Sequence, residues 1–118
     1  VAKFKAKESP IINGDGNQTR DFTYVKDVAE ANLLAAQTTN KAAIGKAFNI
    51  GNSQNISVNQ VAQTIQKLLD SQVLIIHGPA VIEPKNTLAD TSKAKELLAW
   101  TPKYSFEQGL QETIAALT

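Results

Sequence analysis

Two Ser-x-x-Gln runs, Ser57–Gln60 and Ser105–Gln108, constrain this chain more than any other local feature. A serine at a helix N-cap accepts from the third backbone N–H, and a glutamine there returns a bond to the cap's own N–H. Each run therefore marks a helix start. Ile56 with Val61 adds a hydrophobic staple to the first. Val58, Val61, Ala62, Ile65, Leu68 and Leu69 follow at helical spacing, as do Phe106, Leu110, Ile114 and Leu117 after the second. These stripes read as core.

Between these anchors the pattern alternates. Residues 1–8 read as the last turns of a helix. Pro10 to Ile12 reads as a short strand, Asn13 to Asn17 as a turn and Arg20 to Tyr24 as a second strand. Residues 26–38 form an alanine-rich helix with Val28, Ala31, Leu34 and Ala35 on its apolar side. Ala47 to Ile50 is a strand ending at Gly51, and Val73 to Ile76 a buried strand. Residues 78–86, with Pro79 and Pro84, are irregular. A short helix after Asp90 carries Ala94, Leu97 and Leu98. The sum is a small α/β unit of short strands and about four helices, with some parallel pairing expected because helices separate the strands. At 118 residues it forms one unit with a modest core.

Composition narrows the function classes. A net charge of +1 argues against nucleic-acid or membrane-surface binding. No apolar run approaches a membrane span, and Lys3, Lys5, Lys7 and Glu8 interrupt any signal-peptide pattern. The chain has no cysteine and one histidine, which removes thiolate metal sites and argues against a His-based metal cluster or a Ser-His-Asp triad. A cytoplasmic location fits the lack of cysteine. His77, at a strand end before Gly78-Pro79, reads as a structural or surface side chain.

Eleven lysines stand beside one arginine, Arg20. Its planar fork suits bidentate recognition of a phosphate or carboxylate. The preceding Gly14-Asp15-Gly16 turn lets backbone approach a ligand. The alternative is an arginine paired with Asp15, Asp21 or Asp27 at a hairpin. Asn13 and Gln18 flank the turn and could bond a ribose or base, or their own backbone. Tyr24 and Trp100 could stack on a base but read as core. The turn does not make a dinucleotide site: Thr19 holds the third glycine position, and a strand follows where a helix should open.

Four segments carry a family resemblance in order along nearly the whole chain: Gly14 to Val25 with its Arg20-Asp21-Phe22; Phe48-Asn49-Ile50-Gly51 followed by Ile56-Ser57-Val58; Thr87 to Ala94; and Trp100 to Leu110. Together they resemble the C-terminal, substrate-binding region of the NAD-dependent sugar-nucleotide epimerases and dehydratases. These are extended short-chain dehydrogenases, with UDP-hexose 4-epimerases the nearest relatives suggested. The resemblance implies one nucleotide-sugar-binding domain over residues 1–118 and no complete Rossmann domain. The chain begins at Val1 and lacks methionine, which is expected of a processed or excised chain. The resemblance favours excision from a longer enzyme, without its N-terminal NAD-binding domain. It also implies that the Phe48 to Gly51 strand and the alanine-rich helix lie against that domain, so apolar surface is left exposed or covered by homo-oligomerisation.

The resemblance also implies site roles. Arg20 matches the family arginine that contacts the nucleotide-sugar diphosphate. The family commonly has Arg-Pro-Gly-Asp or Glu shortly before the Thr87 run. Counting back from Thr87, Glu83 takes the place of the acid that bonds the ribose, but Ala80 stands at the arginine position and Val81-Ile82 replaces Pro-Gly. A methyl group cannot neutralise phosphate; Lys85 could substitute as a point charge. The family's catalytic Tyr-x-x-x-Lys pair is not found, since Tyr24 is followed at that spacing by Val28 and Tyr104 by Gln108. No catalytic residue, metal or bound cofactor is therefore expected of this chain alone; NAD and turnover belong to the parent enzyme. The ligand expected is a UDP-sugar, held by Arg20, Glu83, Lys85, Asn13 and Gln18. The alternative is a free-standing, non-catalytic ligand- or protein-binding module, which the lost arginine at Ala80 favours.

Overall fold

The computed structural model describes residues 1–117. In chain order its elements are α1 (Ala2–Lys5), β1 (Ile11–Asn13), β2 (Thr19–Arg20), α2 (Val25–Gln37), β3 (Ile56–Ser57), α3 (Val58–Leu68), β4 (Ile76–Gly78), α4 (Ser92–Leu98) and α5 (Phe106–Ala116). Both capping boxes form, with Ser57 and Ser105 as N-caps of α3 and α5. β1 pairs in parallel with β4, and β2 antiparallel with β3.

Helices and irregular segments build two separate cores. In the first, Ala31 of α2 packs with Ala43, Ala94, Leu98 and Trp100, and Phe48 and Ile50 lie against them. The second joins Phe4, Ile65 and Ile114 from α1, α3 and α5. Ala99 closes α4 in the left-handed region, φ 54°. The turn places Trp100 in the first core, 1% exposed, where its indole N–H donates to the Asp27 carbonyl at 3.0 Å.

Four sequence expectations need correction. Residues 47–50 form no strand among the described residues; no partner edge lies beside them, and Phe48 and Ile50 serve as core side chains instead. The second strand stops at Arg20, because the Asp21 side chain takes the backbone N–H groups of Asn52, Ser53 and Ala89 at 2.7–3.2 Å and turns the chain. The fourth strand is Ile76–Gly78 and is not buried: Leu74 is 76% exposed and Ile76 faces outward beside Ile11, its register partner. A two-stranded sheet has no layer over that face. Val28, Ala35, Leu68 and Leu117 are exposed rather than inward, which narrows each helical stripe to its buried centre.

Candidate functional site

The Asn13–Asn17 turn links β1 to β2, and its geometry is fixed from several sides. Gly14 and Gly16 have φ of 69° and 72°. A Cβ on Gly16 would lie 2.5 Å from the Asn59 amide carbon, so only glycine fits there. The Asp15 carboxyl accepts from Asn17 N–H at 2.9 Å; this bond holds it below the usual carboxylate range, with a minor contribution from the Lys85 charge. Asn59 donates to the Asp15 carbonyl at 2.8 Å and bonds the His77 ring at 2.9 Å. His77 is thus tied into the support of the turn.

The start of α3 leans on the same turn. Its first N–H groups need partners outside the helix. Val58 N–H donates to the Gln18 carbonyl at 3.1 Å, Asn59 N–H to Gly16 at 3.0 Å and Gln60 N–H to the Ser57 hydroxyl at 3.1 Å. These amides are occupied by the chain itself.

The irregular segment 79–86 docks on β2 through its backbone. Thr19 N–H donates to the Lys85 carbonyl at 2.8 Å, and Thr87 N–H to the Thr19 carbonyl at 3.2 Å. Residues 63 apart in sequence thereby meet: the Arg20 guanidinium forms an ion pair with Glu83, and a second guanidinium nitrogen donates to the Thr19 carbonyl at 2.7 Å. Gln18 donates to the other Glu83 oxygen at 3.0 Å and to the Asn13 carbonyl at 3.1 Å.

A cleft of about 370 Å³ opens here, lined by Asn13, Gly14, Asp15, Gln18, Ala80, Val81, Glu83 and Lys85. Four of the five residues singled out in the sequence line it, and Arg20 joins it through Glu83. The pairing of Arg20 with Asp15, Asp21 or Asp27 does not occur. Asp15 and Asp21 hold backbone N–H groups of turns, and Asp27 holds those of Lys103 and Tyr104. Sequence reasoning missed the supports, Asp21 and Asn59. The one available signal for Asp21 was its place beside the arginine.

The turn does not fit NAD. Gly14 and Gly16 lead into β2 rather than a helix, and Asn59 fills the space against Gly16 where a pyrophosphate would have to approach. Trp100 is core, and Tyr24 is half-buried with its hydroxyl on Glu112 at 2.8 Å, so neither presents a free face to the cleft.

The profile of the GDP-mannose 4,6 dehydratase family matches residues 1–113. The chain belongs to this family, within the extended short-chain dehydrogenases. Among the family's curated members, the UDP-N-acetyl-alpha-D-glucosaminuronate decarboxylase of Bacillus cytotoxicus is 39% identical over 88% of this chain and 34% of its own. The UDP-glucose 4-epimerase of Thermotoga maritima, solved with UDP-glucose, superposes with a TM-score of 0.88 at 33% identity, over 98% of this chain and 36% of that one. The UDP-glucuronic acid 4-epimerase of Bacillus cereus, solved with UDP-glucuronic acid and NAD, gives 0.86 at 33% identity over 98% and 38%. The chain thus spans about a third of the length of these relatives.

Proposed function

We propose that this chain is the C-terminal nucleotide-sugar recognition region of an NAD-dependent UDP-sugar epimerase or dehydratase. The observation that carries this reading is the convergence of Gln18, Asn13, Glu83 and Lys85 on one cleft, with Arg20 joined to it through its ion pair with Glu83, in a family member whose structural relatives were solved with UDP-sugars. Arg20 is the diphosphate contact, and Lys85 adds a second positive charge from the docked segment. Asn13 and Gln18 supply polar groups on the turn side, and Glu83 the carboxyl of the ribose side. NAD would be held outside this chain's residues. Anchoring the UDP moiety would position a distant sugar carbon for hydride transfer, a remote use of binding that raises the effective concentration of the reacting group.

The test is titration of UDP into the full-length protein and its Arg20→Ala variant. Loss of a charge-assisted contact should weaken binding about tenfold or more, since such bonds contribute about 1.5–3 kcal/mol. Equal affinity in the two proteins would end the assignment. A panel of UDP- and dTDP-sugars with NAD then identifies the reaction, and no turnover across it would count against an epimerase or dehydratase.

A further inference from the structure

We infer that Glu83, beside its place on the ribose side, is an internal competitor for Arg20 and so sets how tightly this cleft holds a diphosphate. The inference rests on the phosphate reading of Arg20 and goes beyond it.

Both Glu83 oxygens are engaged by the chain itself, one by the Arg20 guanidinium and the other by the Gln18 amide at 3.0 Å. The ion pair is only partly shielded, with side-chain exposures of 26% and 32% and Glu83 on an exposed stretch of chain. Partial removal from water strengthens such a pair relative to an open surface one. An incoming diphosphate therefore meets an arginine whose charge is already answered. The rest of the cleft does not redress this. The Lys85 charge is felt by Asp15 on the same cleft without an ion pair between them, and Ala80 brings a methyl group that sits close to Gly14. Two cations and two carboxyls cancel locally. A diphosphate must then displace Glu83 from Arg20 or share the guanidinium with it, and sharing places two anions side by side. Backbone bonds of Thr19 to Lys85 and Thr87 keep the Glu83 segment in place, so the competitor stays near whether or not its side chain moves. Its position in the fold thus makes Glu83 a brake on affinity.

The consequence has a definite sign. Glu83→Gln keeps size and a hydrogen-bonding oxygen but removes the competing charge. UDP titrated into the full-length protein should bind this variant about threefold to tenfold more tightly, as expected for relief of one close like-charge contact. Affinity should also fall more steeply with added salt, because the cleft becomes net positive. In the Arg20→Ala background the gain should vanish, because Glu83 acts through Arg20; a merely structural role would not produce that dependence. Unchanged or weaker UDP binding by Glu83→Gln, with Arg20→Ala still weakened, would overturn the inference and leave Glu83 as a ligand group only. An Arg20→Ala variant with parental affinity would instead overturn the phosphate reading itself.

Discussion

Asp27 is 1% exposed and makes three bonds that join distant parts of the chain. Its side chain accepts the N–H of Lys103 at 2.9 Å and of Tyr104 at 3.2 Å, and its carbonyl accepts from Trp100. The alternative partner for Asp27 in the sequence was Arg20, a near neighbour; its actual partners lie 76 and 77 residues on. Asp27→Ala leaves two backbone donors without an acceptor. It should cost about 1–3 kcal/mol, the penalty for stranding buried donors, read as a lower urea midpoint. Asp27→Asn keeps one acceptor oxygen and should lose less. Gly51 shows the same limit of local reading. It looked like the end of a strand, but a Cβ there would clash with the Asp21 carboxyl and lie 2.5 Å from the Ala89 side chain. Close approach between segments distant in sequence leaves no mark in the residues on either side of the glycine.

The helices were legible because what starts them is local. Ser57 with Gln60 and Ser105 with Gln108 make their reciprocal bonds within one turn. Strands were less legible because a strand exists only with a partner: residues 47–50 have the composition but no neighbouring edge, while Ile76–Gly78 is a strand because β1 lies beside it. Between elements, the start of α2 is joined to the middle of α5 by a cluster of charged and aromatic side chains. Glu112 accepts from the Tyr24 hydroxyl and pairs with Lys26, which lies 5.7 Å from the Tyr24 ring centre, and Tyr24 meets Tyr104 edge-on. The Lys26 ammonium first, and the Tyr24 hydroxyl second, hold the Glu112 carboxyl below its ordinary range. A carboxyl depressed in the folded state adds stability above its unfolded value, about 4.3, and that stability is lost as pH falls through the lower folded value. Glu112→Gln should therefore flatten the acid limb of a stability–pH curve below about pH 4.5 and leave its shape near neutrality unchanged. An acid limb identical to the parent's would remove Glu112 from the account.

The whole molecule is a slab of 52 × 33 × 16 Å with a radius of gyration of 16.9 Å, against about 13–14 Å for a compact domain of this length. Large apolar side chains such as Ile11, Leu74 and Ile82 lie outside both cores. Two small cores set side by side in a thin body bury less common surface than one central core. Between them run the Tyr24–Tyr104 and Phe22–Phe106 ring contacts and the Lys26–Glu112 pair, much of it solvent-exposed. Structures divided in this way open in parts rather than as a unit. Trp100, the one tryptophan in the sequence, belongs to the first core, whereas α3 and α5 form most of the second. Fluorescence therefore follows the first core alone, whereas far-ultraviolet circular dichroism sums the helices of both, α2 and α4 included. Ile65→Ala opens a cavity in the second core and should cost it about 2–5 kcal/mol. The part of the helical signal that comes from α3 and α5 should then melt at lower urea, making the helical transition broader and earlier than that of Trp100, which should shift by less. Coincident transitions in parent and variant would show that the contacts around Tyr24 and Phe22 couple the two cores fully, and the slab would then unfold as one cooperative body.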